Sequence, residues 1–335
     1  MLVSFKEVRG QRGRGSNTLQ VLLSDGSAMS VPRDEGNSEY RRILEWVALG
    51  GVILPPPPKA IDPDRHSPLA WHPHPEFRVS FDDASSIWRY QSLEKFQSLM
   101  TQRALYFRRG DLLRQIDDAE GALPPANRDR PAAQVLKEVY GRSDGFAHAG
   151  GEAAALAQHR AFFELATVDT FVNCWTMNGD RSKNASAMWA SFGEGRDAVC
   201  VRSTIRSLRN CFGTYTDYDI HIGEVTYIDL ESTQVRENNY FNFLLHKKRA
   251  LSAERELRCA LVDDGDISLF AEDEPYLWFG YTEAQLERRS KGVLVPIDLG
   301  ILVHEVILHP DASAQRLLDV REIVREAGLS PESVR

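Results

Sequence analysis

The chain has 335 residues, of which 42% are hydrophobic and 26% are charged, and this is the composition of an ordinary globular protein. No apolar run approaches the roughly 20 residues that span a bilayer, and the N-terminus lacks the basic start and apolar stretch of a secretory signal, so we expect a cytoplasmic protein without a membrane partner. The net charge of −8 disfavours broad binding to nucleic acid, and the four cysteines lack the paired spacing of a zinc ribbon.

The first 54 residues predict a small separate module. Residues 19–23 and 27–31 flank Asp25 and Gly26, a turn signal that predicts a β-hairpin. A helix is predicted over 38–49, capped by Ser38, and its expected apolar stripe is Tyr40, Ile43, Leu44 and Val47. The stretch 55–85 is rich in proline and histidine and is predicted to be a linker. His72 and His74 lie in it without an acidic or cysteine partner spaced nearby, so no metal site is predicted.

The remaining residues, 86–335, predict one α+β domain with a mixed or antiparallel central sheet and flanking helices, because strands and helices interleave without strict alternation. Strands are predicted over 87–90, 104–107, 170–176, 198–202, 222–228, 293–297 and 305–308. Helices are predicted over 92–102, 131–140, 152–166, 185–192, 204–212, 235–248 and 312–327.

Glu254, Glu256 and Arg258 recur at every second residue before the apolar run 259–262. On a strand, this spacing predicts two carboxylates and a guanidinium on one face. An acid pair on a rigid element can do acid–base work, orient a ribose hydroxyl or stabilise a developing cation. The same pattern is also typical of a solvated edge strand with an ion pair that contributes little. Both interpretations stay open at this point.

The N-terminal module contains an Asn-x-x-Tyr…Leu-x-Trp-Val-Ala-x-Gly pattern before a proline-rich break. The residues of this pattern are Asn37, Tyr40, Leu44, Trp46, Val47, Ala48 and Gly50. In this pattern the module resembles small modules of bacteriophage tail and tail-fibre assembly proteins. The resemblance implies a viral or prophage setting, in which residues 1–54 contact a phage tail component and the protein associates with the virion. A generic capped helix would give the same pattern.

Several fragments between residues 86 and 330 resemble, in their order and spacing, an uncharacterised and largely bacterial family known as domain of unknown function 2971. The fragments are 88–90, 104–107, Cys174-Trp175, 187–189, 223–229, Lys247-Lys248, 254–258 and 305–310. The chain departs from the family pattern in two places. An acidic turn expected after the second strand keeps only Asp111, and a Glu-Ser pair expected before Met188 is replaced by Asn184-Ala185. Either loss could alter activity or be divergence in a loop.

The order of an arginine on an early strand, Ser/Thr in the middle and Glu-x-Glu late in the chain is similar to ADP-ribosyltransferases of the Arg-Ser-Glu type. The resemblance implies NAD as the substrate and a macromolecular acceptor. Arg89 would hold the phosphate or ribose, and Glu256 would stabilise the sugar cation while Glu254 orients the nucleophile. The other implied cofactor-binding residues are Tyr90, Tyr106, Trp189, Ser203 and Thr204. Glu256 is expected to line a cleft that Arg89 also reaches.

Each of these residues also has a structural interpretation. Arg89 could stack on neighbouring aromatic rings, Trp189 could anchor the core, and Ser203 and Thr204 could cap the helix that follows. Two further functions stay open for the whole chain. One is a phage structural or assembly-associated binding protein without catalysis. The other is a base-removing enzyme that uses the same acids on DNA or RNA.

Overall fold

The computed structural model describes residues 5–10, 18–24, 27–32, 36–48, 53–54, 73–141, 151–179, 181–193, 195–213, 218–239, 241–263, 287 and 290–335. Most of these residues belong to two compact units, one holding residues 5–54 and the other holding residues 73–263 and 290–335. In the described part of the chain, no helix combines the length and the apolar character needed to cross a membrane.

The first unit is a four-stranded sheet with one helix. Its elements are β1 (Phe5–Gly10), β2 (Thr18–Leu23), β3 (Ala28–Pro32), α1 (Ser38–Ala48) and β4 (Ile53–Leu54), in the sheet order β3-β2-β1-β4. The antiparallel pairing of β2 with β3 confirms the predicted hairpin.

The N-cap of helix α1 lies one residue earlier than predicted. The side chain of Asn37, not Ser38, accepts hydrogen bonds from the backbone N–H groups of Glu39 and Tyr40. Ile43 is fully buried against the sheet, whereas the predicted stripe members Leu44 and Val47 are exposed. The expected stop at Gly50 lies outside the described residues.

The second unit contains an eight-stranded sheet and a separate pair of short parallel strands. The sheet strands are β5 (Ser86–Gln91), β6 (Ala104–Arg109), β7 (Thr170–Thr176), β8 (Val199–Thr204), β9 (His221–Glu224), β12 (Glu256–Val262), β13 (Gly292–Pro296) and β14 (Glu305–Leu308). The parallel pair is β10 (Thr226–Ile228) with β11 (His246–Lys248). All pairings within the large sheet are antiparallel, which confirms the α+β fold with an antiparallel central sheet.

The helices of this unit are α2 (Leu93–Gln102), α3 (Pro125–Arg128), α4 (Ala132–Tyr140), α5 (Gly151–Asp169), α6 (Ala185–Phe192), α7 (Ile205–Asn210), α8 (Phe241–Leu244), α9 (Leu299–Leu302) and α10 (Ala314–Glu326). Ser92 caps α2, Thr204 caps α7 and Ser313 caps α10, each with its side-chain oxygen. The capping role expected for Thr204 is therefore confirmed.

Strand β7 is the centre of the large sheet, and its two edges are used differently. One edge pairs along the whole strand with β12, whose other edge pairs with β9. The opposite edge is shared, because β6 pairs with β7 at Phe171 and Val172 whereas β5 pairs with it at Thr176. The sheet therefore forks at β7, with β6 and β13 on one arm and β5, β8 and β14 on the other.

The strand register divides the side chains of the sheet between two faces. Leu257, Cys259 and Leu261 mark the core face, where fully buried apolar side chains from β5, β6, β7 and β8 pack with α2, α7 and α10. Glu256 and Arg258 alternate with them and mark the opposite face, here called the cluster face. Burial of each large apolar side chain contributes about 1.5–3 kcal/mol, so the core face holds the fold together.

Two predicted segments differ from the structure. Residues 73–85 belong to the large unit and not to a linker, because Ser80 binds Glu224 and Asp83 pairs with Arg209. The helix predicted over 235–248 is largely absent, and only the single turn α8 forms before β11.

Tertiary hydrogen bonds explain the missing helix. Asn127 binds both backbone groups of Val235 at 2.6 and 2.9 Å, and the buried Glu237 carboxylate pairs with Arg160 at 2.9 Å. These contacts hold the segment before Phe241 against α3 and α5 in a non-helical conformation, and they outweigh its helix propensity.

Candidate functional site

Strand β12 is an interior strand, so the solvated edge strand considered above is wrong. It pairs with β7 on one side and β9 on the other, and Glu256 and Arg258 are both buried. The predicted common face holds for Glu256 and Arg258 but not for Glu254. Glu254 ends a 3₁₀ turn (Arg249–Glu254), and Arg255 has the positive φ of 46° that reverses the chain before the strand.

Glu254 and Glu256 nevertheless both contact the same cation, Lys247. The ammonium nitrogen of Lys247, on β11, lies 2.6 Å from Glu254 Oε2 and 3.2 Å from Glu256 Oε2. Arg258 donates two hydrogen bonds to the Glu256 carboxylate, at 2.8 and 3.0 Å, and a further one to Glu120. Lys247 also lies 3.6 Å from Glu120. We call these three carboxylates and two cations the charge cluster.

The pKa values of the two acids of the predicted row are shifted in opposite directions. Burial favours the protonated form of Glu256, but the charges of Arg258 and Lys247 outweigh it and lower the pKa of Glu256 to about 2. Burial raises the pKa of Glu254, and Lys247 only partly offsets this effect. Glu254 is also the more accessible, with 17% of its side chain exposed against 9% for Glu256. The cluster thus joins a carboxylate with a lowered pKa to a carboxylate with a raised pKa.

Two neutral groups border the charge cluster. The backbone N–H of Glu256 donates to the Tyr227 hydroxyl at 2.9 Å, and burial together with the charge of Glu256 raises the pKa of that phenol. Cys174 lies opposite Arg258 on β7, and burial followed by the charge of Glu256 raises the pKa of its thiol. Both groups therefore stay protonated at neutral pH, and Cys174 is not an activated nucleophile.

Arg89 and Glu256 do not lie on the same face of the sheet. Trp88 is the cross-strand partner of Thr176, which is in turn the partner of Glu256, so the side chain of the next residue, Arg89, points to the core face. Arg89 donates to the backbone oxygen of Cys174 at 2.9 Å, at the point where β5 and β6 diverge. Burial lowers the pKa of its guanidinium. The expected cleft reached by both Arg89 and Glu256 is therefore wrong, and Arg89 bonds a backbone group at the fork.

The other predicted ligand residues are divided in the same way. Ser203 points to the core face and is fully buried. Tyr90 and Trp189 pack edge to face on the cluster face, with ring centroids 4.7 Å apart, and both are buried. Tyr106 projects from β6 on the cluster face and is 45% exposed. Of this group, only Tyr106 offers an accessible aromatic face.

A partly open strip crosses the cluster face at the fork. Tyr90 and Met188 cover the β8 arm, and Phe241 and Leu244 cover the far end of β7 and β12. Between these two covers lie Trp88, Cys174 and Tyr106, which are half-buried or exposed. Because Trp88 and Glu256 flank Thr176 on either side, their Cα atoms are about 10 Å apart, two strand spacings.

Trp88 was not predicted as a candidate site residue, although it has two informative features. Its buried indole N–H finds no acceptor among the described residues, and unpaired buried donors are rare in folded proteins. Gly179 lies directly against the ring, where an added Cβ would come 2.6 Å from Trp88 Cζ2.

Substitution of Gly179 by Ala is expected to lower the free energy of unfolding by about 1–3 kcal/mol, because the new methyl group must displace the indole ring. Urea unfolding measures the loss. A Trp88→Leu change in the same chain removes the ring atoms that would clash, so the double variant should lose less than the sum of the two single variants. Strict additivity would show that Gly179 and Trp88 do not constrain each other.

Comparisons with known proteins found no match: no family model, no curated protein and no solved structure is significantly similar to the chain. The resemblances described from the sequence stay predictions. The candidate site therefore depends on its own geometry, and its centre is the charge cluster with the strip beside it.

Lys247 and Glu120 complete the charge cluster but were not predicted as site residues. The sequence pattern assigned Lys247 to the end of a helix, whereas it lies on β11 in register with Tyr227. Glu120 is more than a hundred residues away from Arg258 along the chain and carries no local motif. In the described residues, no group of three His, Cys, Asp or Glu side chains is arranged to hold a metal ion.

Proposed function

We propose that this protein is an ADP-ribosyltransferase-like enzyme, which breaks the bond between nicotinamide and ribose in NAD and transfers ADP-ribose to a macromolecule. The observation that carries the proposal is the arrangement of two carboxylates around one ammonium, with Lys247 Nζ 2.6 Å from Glu254 and 3.2 Å from Glu256. The arrangement gives two acids at a fixed separation and with unequal access to solvent, which is what general acid–base work beside a developing cation needs.

The proposed chemistry assigns a different role to each acid. When the C1′–N bond breaks, its electron pair goes to the nicotinamide nitrogen and the ribose becomes an oxocarbenium-like cation. Glu256, which stays ionised, stabilises this cation more in the transition state than in the ground state. A hydroxyl of the acceptor, or of water, then forms the new C1′–O bond and gives its proton to Glu254. The raised pKa of Glu254 makes it a stronger base than a carboxylate with an ordinary pKa.

In the proposed complex, side chains on the cluster face contact the bases of NAD. Trp88 and Tyr106 are on this face together with Glu256, whereas Arg89 and Ser203 point away from it. Aromatic rings suit nicotinamide and adenine because the rings can stack. Lys247 and Arg258 are cations on the same face, although both are occupied by carboxylates when no substrate is bound.

A second candidate is a binding protein without catalysis, associated with phage assembly. It is favoured by the closure of the charge cluster, because Glu120, Glu254 and Glu256 are each already within 4 Å of a cation. In this case the cluster would serve only to fix β11 and the 3₁₀ turn against the sheet. A ligand would then bind elsewhere on the molecule.

The test is incubation of the protein with NAD, with and without a bacterial cell extract as the source of acceptor, while proton NMR follows free nicotinamide. We expect the wild-type protein to release nicotinamide, and we expect Glu256→Gln to release it about 10²–10³-fold more slowly because the permanent anion is lost. Glu254→Gln should slow transfer by about 10²-fold or more. Glu322→Gln, on the exposed face of α10, is the matched control and should leave the rate unchanged.

The other possible results of this test each favour one of the alternative functions. No nicotinamide release by a folded wild-type protein under either condition would contradict the proposal and favour the binding protein. Release of free bases from DNA or RNA, with NAD untouched, would favour the base-removing enzyme. Circular dichroism and urea unfolding of each variant separate a chemical effect from a loss of folding.

A further inference from the structure

A second candidate ligand site lies between β14 and the start of α10. A cleft of about 380 Å³ opens there, and Trp189, His309, Ser313 and Ala314 are among the residues that line it. No Asp or Glu lines this cleft, although the chain contains 48 acidic residues. One wall is apolar and is formed by Ile307, Pro310 and Leu317 among others. The cleft therefore combines an apolar wall with an absence of lining Asp and Glu side chains.

The first turn of α10 supplies hydrogen-bond donors to the cleft. The helix has 13 residues, and its N-cap Ser313 accepts the N–H of Arg316 at 3.1 Å. The N–H groups of Ala314 and Gln315 precede Arg316 and have no acceptor within the helix. The aligned peptide dipoles make this end of the helix partially positive. Oxyanions commonly bind to free N–H groups in such a position.

Trp189 provides an independent indication of a ligand. It is only 4% exposed, it lines the cleft, and its indole N–H has no acceptor among the described residues. The ring packs edge to face against His309, with centroids 5.2 Å apart. Buried donors almost always have a partner, and this one has none in the described part of the chain although its residue lines the cleft.

His309 contributes a donor through its tautomer. Its Nδ1 accepts the backbone N–H of Asp311 at 3.1 Å, which leaves the proton of the neutral ring on Nε2. The Asp311 carboxylate lies 4.0 Å from the same Nδ1, on the side away from Nε2. Arg335 also lines the cleft, and its guanidinium pairs with Glu305.

We infer that the cleft binds a small organic anion, whose carboxylate or phosphate group meets the first turn of α10 and whose apolar body packs against Ile307, Pro310 and Leu317. The inference does not depend on NAD chemistry, because it rests on none of the residues of the charge cluster. Carboxylate and phosphate share the oxyanion that the donors require. The experiment distinguishes between them.

The test uses three probes with a similar ring: phenyl phosphate, benzoate and the neutral benzyl alcohol. Each is titrated into ¹⁵N-labelled protein while the indole N–H signals are recorded. The signal of Trp189 is identified by its loss in Trp189→Phe. We expect this signal to shift saturably with phenyl phosphate, benzoate or both, and the stronger probe identifies the preferred oxyanion. Benzyl alcohol should have no comparable effect.

Ala314→Pro is the decisive variant, because proline removes the N–H of the first helical residue and is otherwise well accepted there. Ser313 already has the extended backbone that precedes proline, with φ −74° and ψ 158°. The variant should fold normally and bind the anionic probe about tenfold more weakly, as expected for the loss of one hydrogen bond to a charged group. An equal response to benzyl alcohol, no saturable shift, or unchanged binding by Ala314→Pro would each overturn the inference.

Discussion

Replacement of Arg258 by Met is expected to lower the free energy of unfolding by about 3–5 kcal/mol, which is typical when one partner of a buried ion pair is removed. Arg258 is only 1% exposed, and it bonds Glu256 twice, Glu120 once and the backbone oxygen of Leu244 once. Methionine fills a similar volume, so little packing is lost. The loss of stability should therefore arise mainly because Glu256 and Glu120 stay charged without the guanidinium. Urea unfolding at neutral pH measures it.

Two further variants separate charge from packing. Arg325→Met removes an arginine whose partner Glu322 is, like itself, well exposed, and it should leave the stability unchanged within error. Arg258→Met combined with Glu256→Met removes both members of the buried pair, so this double variant should be more stable than Arg258→Met alone. If the double variant were instead less stable, the arginine would act through packing, and the electrostatic explanation would be wrong.

We expect the pair of Arg258 and Glu256 to contribute strongly because β12 is an interior strand. The local sequence does not indicate whether a strand lies in the interior or at an edge of a sheet. The run 254–258 has the alternation of a strand, and the structure does have a strand from Glu256 onward. An edge strand and an interior strand share this alternation, because the pattern depends on the pleat and not on the neighbours. Burial of Glu256 and Arg258 arises from pairing with β7 and β9, which depends on residues far away in the chain.

The error about Glu254 has a local cause. The two-residue period assumes an extended backbone, but Arg255 adopts a left-handed conformation and interrupts the period one residue before the strand. Only Gly, Asn and Asp adopt this conformation readily, so an arginine gave no signal for it. Glu254 and Glu256 are nevertheless close together, because both contact Lys247. Lys247 lies on β11, so the local pattern around Glu254 could not indicate this contact.

The prediction for Arg89 failed for a different reason. Its order in the chain relative to the acids agreed with the resemblance to ADP-ribosyltransferases, but order does not determine the face of a sheet. A shift of one residue along β5 exchanges the faces, so Trp88 is on the side of Glu256 and Arg89 is not. By contrast, helix α2 with its Ser92 cap and the hairpin of β2 and β3 were predicted well, because each depends on local signals.

Replacement of Lys247 by Met should produce a loss of stability that grows with pH. The ammonium of Lys247 lies within 4 Å of Glu120, Glu254 and Glu256. Without it, Arg258 still pairs with Glu120 and Glu256, but Glu254 loses the cation that it bonds. Burial already raises the pKa of Glu254, and removal of its cation raises this pKa further. In the wild-type protein, the charges of Glu256 and Glu120 outweigh the burial of Lys247 and raise the pKa of its ammonium, so the cation persists throughout this range.

The sign of the pH dependence follows from the shift of Glu254. A group whose pKa is higher in the folded than in the unfolded state stabilises the fold below the unfolded value, near 4.3, and this contribution is lost as the pH rises through the folded value. The stability of Lys247→Met relative to the wild-type protein should therefore fall between pH 5 and 8. The slope should reach at most about 1.4 kcal/mol per pH unit for one proton.

Lys248→Met is the matched control, because it changes the adjacent lysine on the same strand. Lys248 is partly exposed and pairs with Asp117 and Asp118, and the pKa of Asp118 is lowered by its hydrogen bond to Lys248. A lowered carboxyl pKa affects stability only below about pH 4, so the difference between this variant and the wild-type protein should be constant from pH 5 to 8. Urea unfolding at pH 5, 6.5 and 8 compares all three proteins. Parallel pH profiles for the two lysine variants would mean that Glu254 keeps its pKa without Lys247, and the charge cluster would then not couple its two acids.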